Sequence, residues 1–299
     1  SSEGHATDSP SALSHTRSLY DLRAQFDVLG KPGDVRSLRS SDEGLVAELS
    51  APSSQPAPPA PPGKSRAHVV FDGDRVTVRE EASRVGVSFQ LTSTRAGKRA
   101  GELSLEDGML MGDGSQGAQS LYRVNARGVE DFVLLERPPA NGELSYDIEA
   151  LGARALRLVD GTLEVLDAYG APRLRVKQPY VIDARGAEHV ANLEIHDCPV
   201  DRDARAPWGR ELTELDRDRC RLAVRYDTSI AHPVLVDPEW QVAAFMNVAR
   251  THHTATLLPD GTVFVTGGFD ENGVALDSTE ILCPEELLCG GVVSFASGP

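Results

Sequence analysis

The sequence predicts an all-β protein, built from an antiparallel β-sandwich or barrel-like domain with a short N-terminal helical segment before it and a small β-module after it. Short runs of alternating apolar and polar residues recur at roughly ten-residue spacing, which is typical of such domains. Turn-forming pairs separate these runs, among them Asp72-Gly73, Asn141-Gly142 and Asp160-Gly161. No long helical pattern interrupts the series between residues 67 and 240, so we expect the body of the protein to be β throughout.

Composition narrows the classes of function. The 299 residues provide room for one large or two ordinary domains, and a hydrophobic content of 40% supports a buried core. A net charge of −15 disfavours binding to nucleic acid or to an anionic membrane surface. No apolar run reaches the roughly 20 residues that a membrane-spanning helix requires. We therefore expect no nucleic-acid partner and no membrane span.

Four segments are predicted along the chain. Residues 1–50 form a polar and partly helical N-terminal segment, in which residues 44–50 fit a helix or an extended strand. Residues 51–66 are rich in proline and predict an extended, semi-rigid linker. The antiparallel domain is expected over residues 67–240, and the small β-module over residues 241–299.

The N-terminal helix is predicted from a helical period between Leu13 and Leu29, which Gly30 ends. Its larger apolar residues include Leu19, Tyr20 and Phe26. These side chains are candidates for docking on the antiparallel domain, or on something else.

Within the antiparallel domain, each strand is predicted from a short alternating run. The predicted strands are His68–Phe71, Arg75–Glu80, Val85–Leu91, Ser120–Asn125, Glu130–Glu136, Leu144–Glu149, Ala155–Leu158, Leu163–Asp167, Arg173–Val176, Tyr180–Ile182, Val190–Ile195, Cys220–Tyr226 and Pro233–Val236.

The four cysteines form two local pairs, Cys198 with Cys220 and Cys283 with Cys289. Nearby pairs in an even number suit two disulfides in an oxidising compartment, although four free thiols remain the alternative. A zinc site fits less well, since neither spacing matches the short gap usual between zinc ligands. We therefore predict both local disulfides and an extracellular or cell-surface location.

The small β-module begins with two short strands joined by the turn Pro259-Asp260-Gly261 and closed by Gly267-Gly268, and residues 276–282 supply a third strand. This pattern resembles a Kelch repeat, the unit that forms one four-stranded blade of a galactose-oxidase-like β-propeller. A blade buries its faces against neighbouring blades, so the resemblance implies that residues 241–299 are a single blade, truncated from a longer array.

The Kelch resemblance also implies roles for particular residues. Arg250 and Glu280 fall where such blades place a buried, mutually satisfying polar pair. His253 is expected to serve packing and hydrogen bonding, and the glycine pair Gly267 and Gly268 closes the motif. Adjacent histidines in a strand point to opposite faces, so we do not expect His252 and His253 to share a metal ion.

The region ahead of the blade carries a second resemblance. The runs Val181–Gly186 and Pro233–Trp240 are similar to the β-domain that precedes Kelch arrays in large secreted proteins of myxobacteria, over residues 67–245. Copper oxidases built on Kelch-type propellers need two tyrosines, and no tyrosine follows Tyr226. The sequence therefore argues against an oxidase.

Other site patterns are weak. The glycine-rich run Asp107–Gly117 lacks the Gly-Lys-Ser/Thr ending of a phosphate loop, and no nucleophile elbow of a serine hydrolase occurs. Calcium could be bound through Asp107 and Asp113, or through Asp270–Asn272, but neither set follows the EF-hand pattern. We expect no cofactor.

These observations favour a secreted, non-enzymatic binding or structural protein that presents loops and Kelch-like surfaces to a protein or glycan partner. Two alternatives stay open. The chain could be the first part of a Kelch-propeller enzyme whose active site lies in further blades, or a subunit of an extracellular assembly that pairs through exposed strand edges.

Overall fold

A computed structural model describes residues 16–50, 66–92, 103–112, 118–207, 209–243, 246, 248, 250–259, 262–270 and 272–282. The chain divides into two compact units. The first, called the sandwich unit below, contains the described residues up to 50 and those from 66 to 242. The described residues from 243 to 282 belong to the second, called the C-terminal module below. Residues 51–65 of the predicted linker lie outside the described residues.

Regular structure in the described residues is almost entirely β. The helical elements are α1 (Leu19–Arg23) and a 3-10 turn (Asp27–Gly30). The strands are β1 (Val35–Ser41), β2 (Gly44–Leu49), β3 (Ala67–Asp72), β4 (Arg75–Glu80), β5 (Gly86–Leu91), β6 (Ser104–Glu106), β7 (Met109–Met111), β8 (Ala118–Asn125), β9 (Gly128–Leu135), β10 (Glu143–Leu151), β11 (Ala155–Val159), β12 (Thr162–Leu166), β13 (Pro172–Val176), β14 (Tyr180–Ile182), β15 (Glu188–Val190), β16 (Asn192–His196), β17 (Arg219–Arg225), β18 (Val234–Asp237), β19 (Glu239–Val242), β20 (Thr254–Leu257), β21 (Val263–Thr266) and β22 (Thr279–Leu282).

The sandwich unit consists of two antiparallel sheets. The eight-stranded sheet has the order β1-β2-β3-β4-β5-β10-β17-β16. The eleven-stranded sheet follows the path β11-β12-β13-β19-β9-β18-β14-β15, and β8, β7 and β6 extend from β9 beside that path. The predicted all-β, antiparallel fold class is therefore confirmed.

An aromatic cluster ties the two sheets together. Phe89 on β5 of the eight-stranded sheet stacks on Trp240 on β19 of the eleven-stranded sheet, with ring centroids 4.0 Å apart and planes 6° from parallel. The ring of Tyr146 meets both edge-on, at 6.0 and 5.9 Å. All three side chains are fully buried, so the apolar faces of the two sheets share one core, as in a sandwich.

Alternation along β4 explains the two faces of the eight-stranded sheet. Val76 and Val78 are buried against the core, whereas Arg75, Thr77 and Arg79 lie on the opposite face. Ion pairs cross that polar face: Arg225 pairs with Glu194 on the neighbouring β16, and Arg75 reaches past β5 to Asp147 on β10. Such exposed pairs contribute little to stability individually.

The N-terminal residues differ from the prediction of a separate segment. β1 and β2 form a hairpin that continues the eight-stranded sheet, since Leu45 and Val46 pair with Phe71 and Val70 of β3. The choice left open for residues 44–50 is resolved as a strand. The place of this hairpin in the sheet is specified by the pairing of β2 with β3, and the polar sequence of β1 does not indicate that pairing.

The predicted helix between Leu13 and Leu29 is wrong in extent. Among its described residues, α1 covers only five, and Phe26 then takes an extended backbone before the 3-10 turn. This break lets Phe26 and Leu29 enter a second apolar cluster with Phe132 and Leu134 on the outer face of β9. Leu22 and Leu19 dock there as well. Tyr20 does not, because 83% of its surface is exposed.

Most of the predicted strands match observed ones, and β4 and β14 have the predicted bounds. The predicted strand Val190–Ile195 is divided into β15 and β16, on either side of the fully buried Ala191. The pattern missed β1, β6, β7 and β19. β6 and β7 are short strands within or next to the glycine-rich run Asp107–Gly117, and Pro238 immediately precedes β19.

Three tight turns share one construction. The side chain Oδ1 of Asp167 accepts hydrogen bonds from the backbone N–H groups two and four residues later, and Asp183 and Asp270 do the same. Each turn places a glycine three residues after the aspartate, with φ between 75° and 81°. Glycine adopts this left-handed conformation without penalty, which is why Asp-x-x-Gly marks these turns.

Candidate interaction surfaces

The C-terminal module contains a three-stranded antiparallel sheet in the order β20-β21-β22. Its central strand pairs in register with both neighbours, so that Val265 lies between Ala255 and Glu280. The third strand begins at Thr279, three residues later than the predicted 276–282. The sequence-predicted site residues Arg250, His253, Gly267, Gly268 and Glu280 all belong to this module.

Arg250 and Glu280 come together at the centre of the module. Arg250 Nη2 lies 2.7 Å from Glu280 Oε1, and the two side chains are 0% and 4% exposed. Arg250 Nη1 also donates to the carbonyls of Gly267 and Ser278, at 3.0 and 2.9 Å, and so fastens both ends of the connection between β21 and β22. The Val248 N–H donates to Glu280 Oε1 at 3.0 Å. Removing one partner of such a buried pair would leave an uncompensated charge.

The two glycines allow the chain to pass close to itself. Gly267 and Gly268 have φ values of 66° and 92°, which favour glycine. A Cβ at Gly268 would stand 2.4 Å from the carbonyl oxygen of Thr251, so a larger residue would force the backbone apart. His253 lies beside this contact, and its Nδ1 is buried without a hydrogen-bond partner in the described part of the chain. Its expected hydrogen-bonding role stays a prediction.

Apolar exposure concentrates on the C-terminal module. Nine large apolar residues of the described chain are exposed, and five of them lie here: Met246, Val248, Leu257, Phe269 and Val274. All four residues of β20 are exposed, and Leu257 has 71% of its surface open. A three-stranded sheet with four-residue strands and open faces buries little apolar surface of its own. Exposed apolar clusters of this kind mark interaction surfaces.

The predicted disulfide between Cys198 and Cys220 is present in the sandwich unit, with the Cα atoms 5.4 Å apart. It ties the loop after β16 to the start of β17. The predicted partners Cys283 and Cys289 lie outside the described residues.

Two of the carboxylates proposed for calcium have other partners. Asp107 Oδ2 pairs with Arg23 at 2.7 Å, and Asp270 Oδ1 accepts two backbone N–H groups of its own turn. Asp113 and Glu271 lie outside the described residues. No group of three or more metal-binding side chains forms within the part of the chain that the structure describes.

Sequence reasoning missed a polar cleft in the sandwich unit, about 700 Å³ in volume. It is lined by residues of the β1–β2 hairpin, of β3 and β4, and of the turn after β4. Glu43 on the hairpin reaches Arg79 on β4, with an oxygen–nitrogen distance of 2.6 Å. Because the hairpin was predicted to belong to a separate segment, no sequence signal could place Glu43 and Arg79 together.

Two buried carboxyl groups were also missed. Burial raises the pKa of Asp131 on β9 to about 7, and the Tyr146 hydroxyl opposes part of that rise. Burial likewise raises the pKa of Asp237 on β18 to about 8, and a hydrogen bond from Tyr180 opposes part of it. One oxygen of each carboxyl has no hydrogen-bond partner in the described chain. An isolated aspartate in a strand gives no sign of such burial.

Comparisons with known proteins do not identify the chain. No family model, no curated protein and no solved structure matches it. Among the described residues there is also no helix both long and apolar enough to cross a membrane. The functional assignment therefore depends on the surfaces described above.

Proposed function

We propose that this chain is an extracellular, non-enzymatic binding or structural protein that engages a protein partner through the C-terminal module. The observation that carries the proposal is that the module combines a buried ion pair at its centre with exposed apolar side chains on its surface. Arg250 and Glu280 hold the module's strands and connection in place, while Leu257, Phe269 and Val274 remain exposed. Pre-organised apolar surface of this kind lowers the entropic cost of association.

The geometry of the module favours packing against another sheet. One face carries Ala255, Leu257 and Val263 beside the already buried Val265 and Glu280, and the other carries the half-buried Phe264 and Ile281. A second sheet laid on the face of Phe264 and Ile281, at the usual spacing of about 10 Å, would cover these two side chains. The Kelch resemblance supports the same idea, because sister blades cover equivalent faces in a propeller.

A protein partner is favoured over a glycan. The open side chains are mainly aliphatic, and Phe269 carries the one exposed phenyl, phenol or indole ring among the module's described residues. Sugars are bound through hydrogen bonds and flat aromatic rings, whereas aliphatic surface suits the core of a protein interface. The Cys198–Cys220 disulfide supports the extracellular location, because disulfides persist in oxidising compartments.

Self-assembly through a strand edge is the second candidate. Within the described chain β20 pairs only with β21, so its other edge offers free backbone groups to a strand of a second copy.

Site-specific photo-crosslinking in the producing cells tests the proposal. A benzophenone amino acid would replace Leu257 or Phe269, and Tyr169, which is 86% exposed on the sandwich unit, would serve as the matched control. We expect both module positions to capture the same protein and Tyr169 not to capture it. The purified partner should then bind the full chain and lose affinity for Leu257→Asp.

The outcomes separate the candidates. Capture of a second copy at Leu257, with a dimer in light scattering, would replace the proposal with self-assembly. Equal capture at Tyr169 would show that exposure alone determines the result. Slow exchange of those β20 amides that do not bond to β21, in the purified and monomeric chain, would contradict self-assembly through this edge, because the edge would already be occupied.

A further inference from the structure

Two turns of the sandwich unit repeat one sequence and one geometry. Residues 165–171 read Val-Leu-Asp-Ala-Tyr-Gly-Ala, and residues 181–187 read Val-Ile-Asp-Ala-Arg-Gly-Ala. Asp167 and Asp183 each accept two backbone N–H groups of their own turn through Oδ1. In both turns the second oxygen, Oδ2, contacts a basic side chain six residues further along the chain. The two turns therefore form a matched pair that can be compared at this basic position.

The basic residue is an arginine in one turn and a histidine in the other. Arg173 Nε lies 2.7 Å from Asp167 Oδ2, and His189 Nε2 lies 3.1 Å from Asp183 Oδ2. Arginine stays charged throughout the physiological range of pH, whereas histidine side chains change charge between about pH 5 and 8. The turn after β12 is thus held by a permanent cation, and the turn after β14 by a residue that is a cation only when protonated.

His189 stands where the two sheets of the sandwich meet. It lies on β15, which ends the path of the eleven-stranded sheet, and the next strand, β16, ends the eight-stranded sheet. The residue directly opposite on β14 is the fully buried Val181. The loop between β17 and β18 crosses from one sheet to the other, and its Ala231 carbonyl accepts a hydrogen bond from the Ala184 N–H of the turn at 3.0 Å. The turn after β14 therefore fixes part of the loop that joins the two sheets.

Two carboxylates from different elements interact with His189. The side chain of Asp183, in its own hairpin, is 7% exposed, against 33% for His189. Asp227 belongs to the loop between β17 and β18. Hydrogen bonds from Ser229 lower the pKa of Asp227, desolvation opposes them, and the charge of His189 lowers it further. Glu188 points to the opposite face of the sheet, and β14 carries no charged residue.

We propose that His189 is a pH-dependent latch that joins the turn after β14 to the loop between β17 and β18. The protonated imidazole pairs with Asp183 in the turn and attracts Asp227 in the loop, so the two segments are held together. This attraction is present at low pH and is lost as the pH rises and the ring releases its proton. The latch belongs to the sandwich unit and does not depend on the function proposed for the C-terminal module.

Amide hydrogen exchange of the full chain, followed by NMR at pH 5 and pH 8, tests the latch. The reporter is the Ala184 N–H, which bonds across to the loop. Its protection factor, corrected for the intrinsic effect of pH on exchange, should be about 2- to 5-fold higher at pH 5, the size expected of a partly exposed ion pair. The Tyr169 and Ala171 N–H groups of the equivalent turn should show no such change, because Arg173 keeps its charge.

Two substitutions of the partly exposed His189 separate charge from shape. His189→Arg copies the equivalent turn and should give high protection of Ala184 at both pH values, whereas His189→Gln should give low protection at both. His196→Gln is the matched control, because His196 is 31% exposed and also lies beside a carboxylate, and it should behave like the parent chain.

Three results would overturn the latch. One is equal protection of Ala184 at pH 5 and pH 8 in the parent chain, and another is a pH dependence that persists in His189→Gln. The third is a change of the same size at Tyr169 and Ala171, which would assign the effect to the stability of the whole sandwich unit.

Discussion

The buried carboxyl of Asp131 makes the stability of the sandwich unit depend on pH. Burial raises its pKa from the ordinary 3.8 to about 7. Below pH 3.8 the group is protonated in the folded and the unfolded chain, and the folded state carries no penalty. Between pH 3.8 and about 7 only the unfolded chain releases the proton, so unfolding becomes progressively easier. Above about pH 7 both states are ionised and the loss is complete.

The magnitude follows from the size of the rise. Each unit of pKa is worth about 1.36 kcal/mol, so a rise from 3.8 to about 7 corresponds to about 4 kcal/mol. Asp131 is only 2% exposed, so solvent screens little of this effect. Asparagine has the same shape and cannot ionise. We expect the unfolding free energy of Asp131→Asn, relative to the parent chain, to rise by about 4 kcal/mol between pH 4 and pH 8.

Urea unfolding at pH 4.5, 6, 7 and 8 measures this difference. Tryptophan fluorescence reports on the correct unit, because Trp208 and Trp240 both fall between residues 66 and 242. Asp216→Asn is the matched control, since its side chain is 57% exposed, and it should leave the pH profile unchanged. A constant gap between Asp131→Asn and the parent chain at all four pH values would refute the reasoning.

Three further predictions concern particular contacts. Arg250→Met should destabilise the C-terminal module by about 3–5 kcal/mol because it removes the cation that compensates the buried Glu280 carboxylate, and the double change with Glu280→Leu should recover most of that loss; amide exchange in β21 reports it. Replacing Cys198 and Cys220 by serine should cost the sandwich unit about 3 kcal/mol in urea unfolding, from a loop with a sequence separation of 22; an unchanged midpoint would contradict this. Leu22→Ala should cost about 2–5 kcal/mol because the side chain is fully buried, whereas Tyr20→Ala should be nearly neutral; equal thermal midpoints would count against the docked N-terminal segment.

Local pattern accounts for much of the fold. The strand β4 could be predicted because Val76 and Val78 alternate with polar residues, and alternation is a property of the strand itself. Turn residues gave equally local information, since Asp183 and Gly186 hold their turn by contacts within five residues. The Cys198–Cys220 pair was predicted for a similar reason, because the two cysteines are near neighbours in sequence.

The candidate sites were predictable only in part. Arg250 and Glu280 lie 30 residues apart, and the resemblance to a repeat was what placed them together. No sequence pattern indicated the cleft or the burial of Asp131 and Asp237. The lining of the cleft includes the ion pair of Glu43 with Arg79, which lie 36 residues apart on elements that the sequence pattern assigned to different segments.

The sequence by itself determined where most strands and turns lie, because these depend on neighbouring residues and on the two-residue period of a strand. The tertiary structure determined which strands share a sheet and placed β1 and β2 in the sandwich unit. It also determined which polar groups are desolvated. Asp131 shows the physical reason: its raised pKa comes from burial among residues of other strands, and desolvation is a property of the packed fold rather than of any segment.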